Sequence, residues 1–566
     1  MSTTIQIQCL LLRGRLWMRW LLGRAGIDKL LIQALLIGLV GGLSSALFRW
    51  SELDIRWITE GNCDDLVDYA RQLSPELRLL IPTAGGLVAG TLLWMSQRTL
   101  RSEVVIDFLE AIRLQKGRIP VRATLIRTLS SLTSISTGAS IGREGGMVQL
   151  SATAASFLGR VFHASSMRLR LLVACGAAAG ISSAYNTPLA APLFIAEIVM
   201  GTLAIDILAP LMTASIASAL MSREWLGVAP LFDVPEFARQ VDIPFHHAAL
   251  LGLCCGLIAP LFLITLAKIR KIFNRLPIAL PFRLALGGLM VGLISLKVPE
   301  VWGNGHAVVD QILSGDVLLS TVIYVLVFKA LATMAAFGSG TVGGIQTPTL
   351  TLGACVGWLY SQLVQGCAEQ STAYAALGMG ALLSGTTLAP IMAIVMLFEM
   401  TMDTALFFPL IISAFLSRHV AAAIRPVSVY DKESKDSKKL TPFSLKVSDV
   451  AEPIRYTIQP EESLAEIVGR FWWRGTDRVW VTLDDGTYLG ALSLREVALT
   501  VANGNTQLGV INLLLSAPPL NPGGVLVTVL PELKRKHPMR YPVIDELGCL
   551  MGEADVRDMT LAIHAV

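Results

Sequence analysis

Charged residues are scarce in this 566-residue chain, at 16% of the total, and aromatic residues are also few, at 7%. So little charge, together with 53% hydrophobic residues, excludes an ordinary one-domain soluble enzyme. The 46 basic and 42 acidic residues leave a formal charge of +4, which is too small and too dispersed for a nucleic-acid binder. The eight cysteines show no paired metal-ligand spacing and lie mostly in apolar runs, so neither a disulfide framework nor a zinc site is expected.

Long uncharged stretches are abundant instead. Six are long enough to cross a bilayer, at 30–48, 79–96, 171–196, 248–267, 330–368 and 370–398. No small-residue cleavage site follows the first stretch, so a removable signal peptide is not expected. Residues 51–76 hold seven acids and two arginines, whereas residues 101–128 hold six basic residues and three acids. The positive-inside rule therefore predicts a multi-pass membrane protein with cytoplasmic N- and C-termini.

Glycine and proline interrupt several of the apolar runs, at 138–149, 176–192, 338–348 and 378–390. These interruptions predict broken helices, which persist at membrane depth only where they are buried in protein or line an aqueous path. The alternative for any single glycine is close packing between helices.

An internal repeat supports the first interpretation, because two halves of the chain match at a fixed displacement of 202 residues. Arg127 matches Lys329, and the run Gly142–Gly146 matches Gly344–Pro348. Three further pairs are Gly176 with Gly378, Pro188 with Pro390 and Glu197 with Glu399. Duplicated halves with interrupted helices at matching positions indicate a binding site near the bilayer midplane.

The chemistry of such a site favours a small anion. A glycine-rich turn that opens a helix leaves backbone N–H groups free, and the helix dipole adds partial positive charge there. Binding without a full positive charge stays weak enough for the anion to leave. Arg127 and Lys329 are predicted to add positive potential on the approach, or alternatively to form structural pairs or reach the membrane interface.

Glu144 lies inside the first glycine-rich loop. An ionised carboxylate there competes with an anion, and protonation ends that competition, so Glu144 is predicted to act as a pH-sensitive plug. The alternative is that Glu144 only pairs with the neighbouring Arg143.

Four segments resemble the CLC family of chloride channels and transporters. They are Gly142–Gln149, Gly343–Pro348, Asn186–Ala190 and Phe398–Thr401. The resemblance spans about 28–430 and implies an all-α polytopic membrane protein with two inverted repeats of broken helices, at about 28–225 and 245–430. It also implies a homodimer in the bacterial inner membrane with one chloride pathway in each subunit.

The resemblance assigns roles to individual residues. Glu144 takes the gating position, backbone amides of Ile345 and Gln346 bind chloride, and the Tyr430 hydroxyl faces the central anion. Gly142, Arg143 and Gly344 belong to the same anion-binding loops.

The chain departs from the family pattern at the inner anion loop, where the usual Gly-Ser-Gly-Ile-Pro string is replaced by residues 101–105. Either Ser102 becomes the central ligand after a one-residue shift, or Glu103 is a solvated acid.

Gln346 replaces an apolar residue, and its side-chain amide is a further candidate donor to the anion. Ile198 occupies the position of the inner proton-accepting glutamate of many exchangers. An alkyl group binds no proton, so the chain is expected to be a voltage- or pH-gated channel, with a chloride/proton antiporter that uses waters or another acid as the alternative.

The composition changes after Tyr430. Residues 1–27 are expected to be a cytoplasmic segment, 431–442 a charged linker, and 443–566 a small α+β cytosolic domain. A second repeat at a displacement of 62 residues, with hairpin turns at Asp484–Gly486 and Asp545–Gly548, resembles a tandem CBS pair.

The nucleotide-binding string of such modules survives loosely as Gly490, Ser493 and Glu496, and it fails as Gly552, Asp555 and Asp558. An acid in place of the hydroxyl repels phosphate, so structural use is favoured over adenine-nucleotide binding, and no cofactor is expected. Two rival functions are disfavoured. An intramembrane hydrolase needs a nucleophile and base set or a metal cluster near Glu144, and the sequence has neither there. A non-conducting nucleotide sensor leaves the broken-helix repeat unexplained.

Overall fold

The computed structural model describes residues 29–60, 65–100, 107–113, 117–226, 232, 243–315, 317–364, 368–430, 445–454, 456–471, 478–503, 505, 508–535 and 540–564. The predicted N-terminal segment 1–27, the linker 431–442, and both Ser102 and Glu103 lie outside these residues. By their contacts the residues form two compact units, which are described separately. One comprises 34–158 and 170–434, and the other comprises 435–566 with 159–169 and the residues up to Gln33.

The residues up to Ile424 are almost entirely helical. The helices are α1 Lys29–Glu60, α2 Leu66–Gln72, α3 Pro75–Thr99, α4 Phe108–Arg113, α5 Val121–Ser136, α6 Glu144–Val161, α7 Ser166–Tyr185, α8 Ala190–Phe194, α9 Ile205–Leu226, α10 Phe245–Arg275, α11 Leu280–Ser295, α12 His306–Ser314, α13 Leu319–Ser339, α14 Gln346–Val364, α15 Ala368–Thr387, α16 Pro390–Thr401 and α17 Phe407–Ile424. A π-helical turn, Ile195–Met200, continues α8, and a 3-10 turn lies at Pro299–Val301.

Seven helices in the described part of the chain are long and apolar enough to cross a membrane, namely α1, α3, α7, α9, α10, α13 and α17. The sequence analysis missed α9 and α17 as spans. Asp206 and Arg418 interrupt their apolar runs, although one or two charges do not prevent a helix from spanning. The polytopic all-α architecture is confirmed.

The predicted breaks are present at matching positions of the two repeats. In the first repeat, α5 ends at Ser136 before α6 begins, and α7 ends at Tyr185 before α8 begins. In the second, α13 ends at Ser339 before α14 begins, and α15 ends at Thr387 before α16 begins. Helices α6 and α14 therefore start 202 residues apart, as the repeat requires. The broken-helix prediction is confirmed.

Other glycines serve close packing within the helices. A Cβ atom on Gly353 would lie 2.6 Å from the carbonyl oxygen of Gly378, and one on Gly357 would lie 2.0 Å from that of Tyr374. In the first repeat, a Cβ atom on Gly176 would lie 2.7 Å from the carbonyl oxygen of Ser151. Side chains at these positions would force the helices apart, so Gly176 and Gly378 match across the repeat because both bring paired helices together.

The two repeats also cap each other's short helices. The Glu197 carboxylate accepts hydrogen bonds from the N–H groups of Ile391 and Met392, at 3.4 and 2.9 Å, at the start of α16. Glu399 accepts from the N–H groups of Leu189 and Ala190, at 2.8 and 2.7 Å, at the start of α8. Each carboxylate satisfies N–H groups that have no partner within their own helix. A two-fold relation between the repeats explains why Glu197 caps a helix of the second repeat and Glu399 caps the matching helix of the first.

The C-terminal unit is a small α+β region. Its elements are α18 Val447–Val450, β1 Thr457–Ile458, α19 Leu464–Phe471, β2 Arg478–Thr482, β3 Tyr488–Ser493, α20 Leu494–Ala502, β4 Leu514–Leu515, α21 Leu526–Arg535, β5 Arg540–Ile544, β6 Leu550–Asp555 and α22 Val556–His564. Strands β1 to β4 form one sheet in sequence order, and β5 pairs with β6.

Both predicted hairpins are present, with β2 antiparallel to β3 and β5 antiparallel to β6. Gly486 and Gly548 adopt φ angles of +85° and +82° in their turns, a conformation that favours glycine. The turns contact each other reciprocally, because the Tyr488 N–H donates to the Gly548 carbonyl and the Leu550 N–H donates to the Gly486 carbonyl. This arrangement fits a CBS-like module.

Two acids of the degenerate second string are engaged by an arginine of the same unit. The Arg168 guanidinium lies 2.7 Å from an Asp555 oxygen and 3.0 Å from an Asp558 oxygen. The Ser166 N–H donates to the Glu452 carboxylate at 2.5 Å, and Met167 packs against the hydrophobic cluster of the second half. Residues 159–169, predicted as part of the membrane domain, thus belong with the C-terminal unit by their contacts.

Candidate anion site

The two glycine-rich loops meet directly. Gly142 and Gly344 form an antiparallel bridge, in which each N–H donates to the other's carbonyl, at 2.7 and 2.8 Å. A Cβ atom on Gly142 would lie 2.0 Å from the Glu144 carboxylate, and one on Gly344 would lie 2.2 Å from it. A side chain at either position would therefore displace this carboxylate.

The Glu144 side chain is buried, with 5% of its surface exposed, and reaches into the second repeat. Its Oε1 atom accepts hydrogen bonds from the N–H groups of Gln346 and Thr347, at 3.1 and 3.2 Å. Its Oε2 atom accepts from the Thr347 hydroxyl at 3.1 Å. The carboxylate thus occupies the N-terminus of α14, where free N–H groups and the helix dipole favour a negative charge.

The sequence analysis missed two hydroxyl groups at this position. Thr347 donates to Glu144, and the buried Tyr185 hydroxyl lies 3.1 Å from the Thr347 hydroxyl. A hydroxyl inside an anion-binding loop is a detectable signal for Thr347, whereas nothing in the sequence around Tyr185 distinguishes it from core. Tyr430, which was predicted, packs edge-on against Phe194 with ring centroids 5.1 Å apart.

The alternative role for Glu144, pairing with Arg143, is wrong. Arg143 instead lies 3.7 Å from the carboxylate of Glu52 on α1, and both side chains are largely buried. The Glu144 carboxylate therefore accepts hydrogen bonds from N–H groups of the second repeat and does not pair with Arg143. The side chains of Arg143 and Glu144 share one cavity with Tyr185, Asn304, His306 and Thr347.

The predicted side-chain donor of Gln346 is directed elsewhere, because its amide nitrogen lies 3.2 Å from the sulfur of Met396. The backbone N–H of Gln346 does reach the site through Glu144. Ile345 immediately precedes α14, and its carbonyl accepts from Thr349. The assignment of the Ile345 amide as an anion ligand stays a prediction.

Lys329 and Arg127 occupy different environments although they match in the repeat. Lys329 is fully buried, and its ammonium donates to the carbonyls of Val301, Trp302 and Gly303, at 2.9, 3.3 and 2.8 Å. Arg127 is only half-buried on α5. Lys329 therefore fixes the loop before α12, which is a structural role of the kind given as the alternative in the sequence analysis. Its predicted contribution to the positive potential on the approach stays a prediction.

No three His, Cys, Asp or Glu side chains lie together as metal ligands within the described ranges. The site consists of backbone donors, hydroxyls and one carboxylate. Such a set binds a single small negative charge by hydrogen bonds rather than performing covalent chemistry.

Comparison with known proteins places this geometry in a family. The family model described as voltage gated chloride channel matches residues 85–422. A ClcB-like chloride channel protein of Ralstonia nicotianae is 42% identical over 421 residues, which cover 72% of this chain and 98% of the relative. Two solved structures share the fold. A slow cyanobacterial Cl−/H+ antiporter aligns with a TM-score of 0.63 and 24% sequence identity, and the alignment covers 71% of this chain and 96% of the antiporter. A eukaryotic CLC transporter aligns with a TM-score of 0.57 and 17% sequence identity, and the alignment covers 94% of this chain and 97% of the transporter.

The second of these alignments extends over the C-terminal unit as well as the helices. The family model spans more than half of the chain, and the Ralstonia relative is matched over nearly its whole length. The chain therefore belongs to the CLC family, whose members transport chloride as channels or transporters and are not enzymes.

Proposed function

We propose that the chain is a chloride channel of the bacterial inner membrane, gated by Glu144 in response to pH or voltage. One observation carries the proposal: the Glu144 carboxylate accepts the N–H groups of Gln346 and Thr347 at the start of α14. Chloride is bound by the same kind of donor, so carboxylate and anion compete for one position. Protonation of Glu144 removes its charge, and chloride then gains the position.

The surrounding residues have supporting roles in this proposal. Backbone amides at Ile345 and Gln346 replace part of the chloride hydration shell, and the Tyr430 hydroxyl faces the central anion. Arg127 adds long-range attraction on the approach. Because these ligands supply no full positive charge in direct contact, the anion leaves as readily as it enters.

Channel rather than exchanger is favoured by the inner side of the site. Ile198 stands where many exchangers of the family have a glutamate, and it is buried within the π-helical turn. The Arg113 guanidinium donates to the Ile198 backbone carbonyl, and the adjacent acid, Glu197, accepts from the N–H groups of Ile391 and Met392. The titles of aligned structures name Cl−/H+ and fluoride/proton antiporters, which keeps exchange through waters or another acid as the second candidate.

The chain is proposed to work as a homodimer with chloride and lipid as its partners. The relatives are bacterial channel proteins, and large apolar side chains are exposed on the long helices, including Leu80, Leu261 and Phe408. Exposed apolar surface on a spanning helix is satisfied by acyl chains or a second subunit.

Simultaneous recording of chloride and pH on proteoliposomes tests both parts of the proposal. The wild type is expected to move chloride passively, faster at low pH, without uphill proton movement. Glu144→Gln, which mimics the protonated carboxyl, is expected to keep flux high and nearly independent of pH. Glu76→Gln, at an exposed position of α3, is the matched control and should behave as the wild type. Chloride-driven uphill proton movement would establish the antiporter, and a wild-type pH response in Glu144→Gln would place the gate elsewhere.

A further inference from the structure

The cavity beside Glu144 is also lined by Arg143, Asn304 and His306. Its volume is about 10 Å³, which is room for about one water molecule or small ion. The Glu144 carboxylate accepts instead from backbone and hydroxyl groups of the second repeat. The proposed gating step therefore leaves this group of polar side chains unexplained.

Both cations and acids lie around this part of the cavity. Arg143 is paired with Glu52 only at 3.7 Å, and Arg49 of α1 is close enough to act electrostatically on His306. Arg143 and Arg49 are matched by the carboxylates of Glu52 and Asp310, so apart from Glu144 the local charges balance, and a proton on His306 makes this part of the cavity positive.

His306 is the first residue of α12, and one of its two ring nitrogens makes no hydrogen bond to the described residues. Its ring packs against Phe232, with centroids 4.9 Å apart, and its Nε2 lies 3.7 Å from an Asp310 oxygen. Its Nδ1 is buried and has no hydrogen-bond partner among the described residues. A buried nitrogen without a partner is costly unless a ligand or water satisfies it.

Asn304 is positioned to donate into the same space. Its side-chain oxygen accepts from the His306 N–H at 3.2 Å, which orients the amide NH2 group away from that contact. The preceding residues are fixed, because Lys329 holds the carbonyls of Val301, Trp302 and Gly303. The donors of the loop are therefore preorganised.

We propose that Arg143, Asn304 and His306 form a second anion site, which holds a small monovalent anion next to Glu144 while the Glu144 carboxylate occupies the start of α14. The proposal rests on the proposed function in one respect, that halide is the transported ion. The ligands are the Arg143 guanidinium, the Asn304 amide and the His306 ring.

The site couples anion binding to a proton. The charged and titratable groups that face His306 are Arg143 and Glu144 from the first loop, Arg49 and Glu52 from α1, Asp310 from its own helix and the Tyr185 hydroxyl of α7. Burial and the charges of the two arginines oppose a proton on His306, and a bound anion offsets the charge of the arginines. By linkage, a proton on His306 then tightens anion binding by the same factor.

Bromide is the probe in the test, because its anomalous scattering locates it in crystals of the full-length protein. At pH 5 a peak is expected between Arg143 and His306 in the wild type. Calorimetric titration should give bromide affinity at least about fivefold tighter at pH 5 than at pH 7.5. His306→Gln should lose the peak, and His419→Gln, at an exposed position of α17, is the matched control.

A second variant separates this proposal from the gating proposal. In Glu144→Gln the pH response of the gate is removed, so the remaining pH dependence of bromide affinity is expected to depend on His306 alone. It should vanish in the double variant with His306→Gln. A bromide peak at the N–H groups of Gln346 and Thr347 without one at His306 overturns the second site and leaves the gate intact. A peak at His306 with none at Gln346 in Glu144→Gln overturns the gate instead.

Discussion

At the scale of single residues, Lys329 shows how backbone carbonyls satisfy a fully buried ammonium group. Its ammonium has three donors, and the three carbonyls of Val301, Trp302 and Gly303 take all of them. The matching residue of the first repeat, Arg127, is half-buried. The same sequence position in two repeats has therefore acquired a different structural use.

Lys329→Met is expected to destabilise the protein severely, because it leaves three buried carbonyls without a donor. The free energy of unfolding should fall by about 3 kcal/mol or more. Thermal melting of the detergent-solubilised protein measures the loss, with Arg127→Met as the matched control, expected to shift the melting temperature little. Equal melting temperatures for the two variants would show that Lys329 does not fix the loop.

At the scale of elements, helix α22 carries Asp558 in its first turn, and the Asp558 carboxylate pairs with Arg168. Burial, and the negative charge of the neighbouring Asp555, raise the pKa of Asp558 from 3.8 to about 6 against the opposing effect of Arg168. Between these two values the folded state binds a proton that the unfolded chain releases. Its contribution to stability is therefore present at low pH and is lost as the pH rises through about 6.

Asp558→Asn removes this titration, so the variant should gain in melting temperature relative to the wild type on going from pH 5 to pH 7.5. The change in the difference should be about 1.4 kcal/mol, since only about one pKa unit, from pH 5 to about 6, lies within this range. Glu461→Gln, at an exposed position of the same unit, should leave the pH dependence of melting unchanged. A difference between Asp558→Asn and wild type that is constant across this range would contradict the raised pKa.

Elements also mark where sequence reasoning succeeded. The four breaks follow from glycine and proline inside apolar runs, and the two hairpin turns follow from glycine between short apolar strands. These features are local, so the residues that determine them are adjacent in the chain.

The partners of the functional residues could not be predicted, because they are distant in the sequence. The Glu144 carboxylate contacts N–H groups 202 and 203 residues away, and Arg168 contacts acids nearly 400 residues away. A displacement of 202 residues indicated that the two loops correspond, but not that they touch. Arg143 pairs with Glu52 and not with Glu144 because of how α1 packs against the loop. No periodicity in the sequence reveals that packing.

At the scale of the whole molecule, each of the two duplications is closed by reciprocal hydrogen bonds. In the helical unit Glu197 and Glu399 exchange helix caps, and Gly142 and Gly344 exchange backbone bonds. In the C-terminal unit the turns at Gly486 and Gly548 do the same. A two-fold relation places equivalent residues opposite each other, so one favourable contact is formed twice. The helical duplication builds a site at its centre, whereas the second half of the C-terminal duplication has its motif acids occupied by Arg168.

That occupancy leads to the last prediction, which concerns adenine nucleotides. The position of the phosphate-binding hydroxyl in the second half is held by Asp555, which already pairs with Arg168, and only the first half retains a serine, Ser493. Two acids at this position repel phosphate, so ATP, ADP or AMP at millimolar concentration should not raise the melting temperature of the full-length protein. Specific binding at 100 times the dissociation constant would add about 2.7 kcal/mol, which a melting experiment detects readily. A nucleotide-dependent rise that Ser493→Asp abolishes would contradict this expectation and establish a regulatory site in the first half. If no rise occurs, the acids of the second half serve the contact with Arg168, and Arg168→Ala should then lower the melting temperature with or without nucleotide.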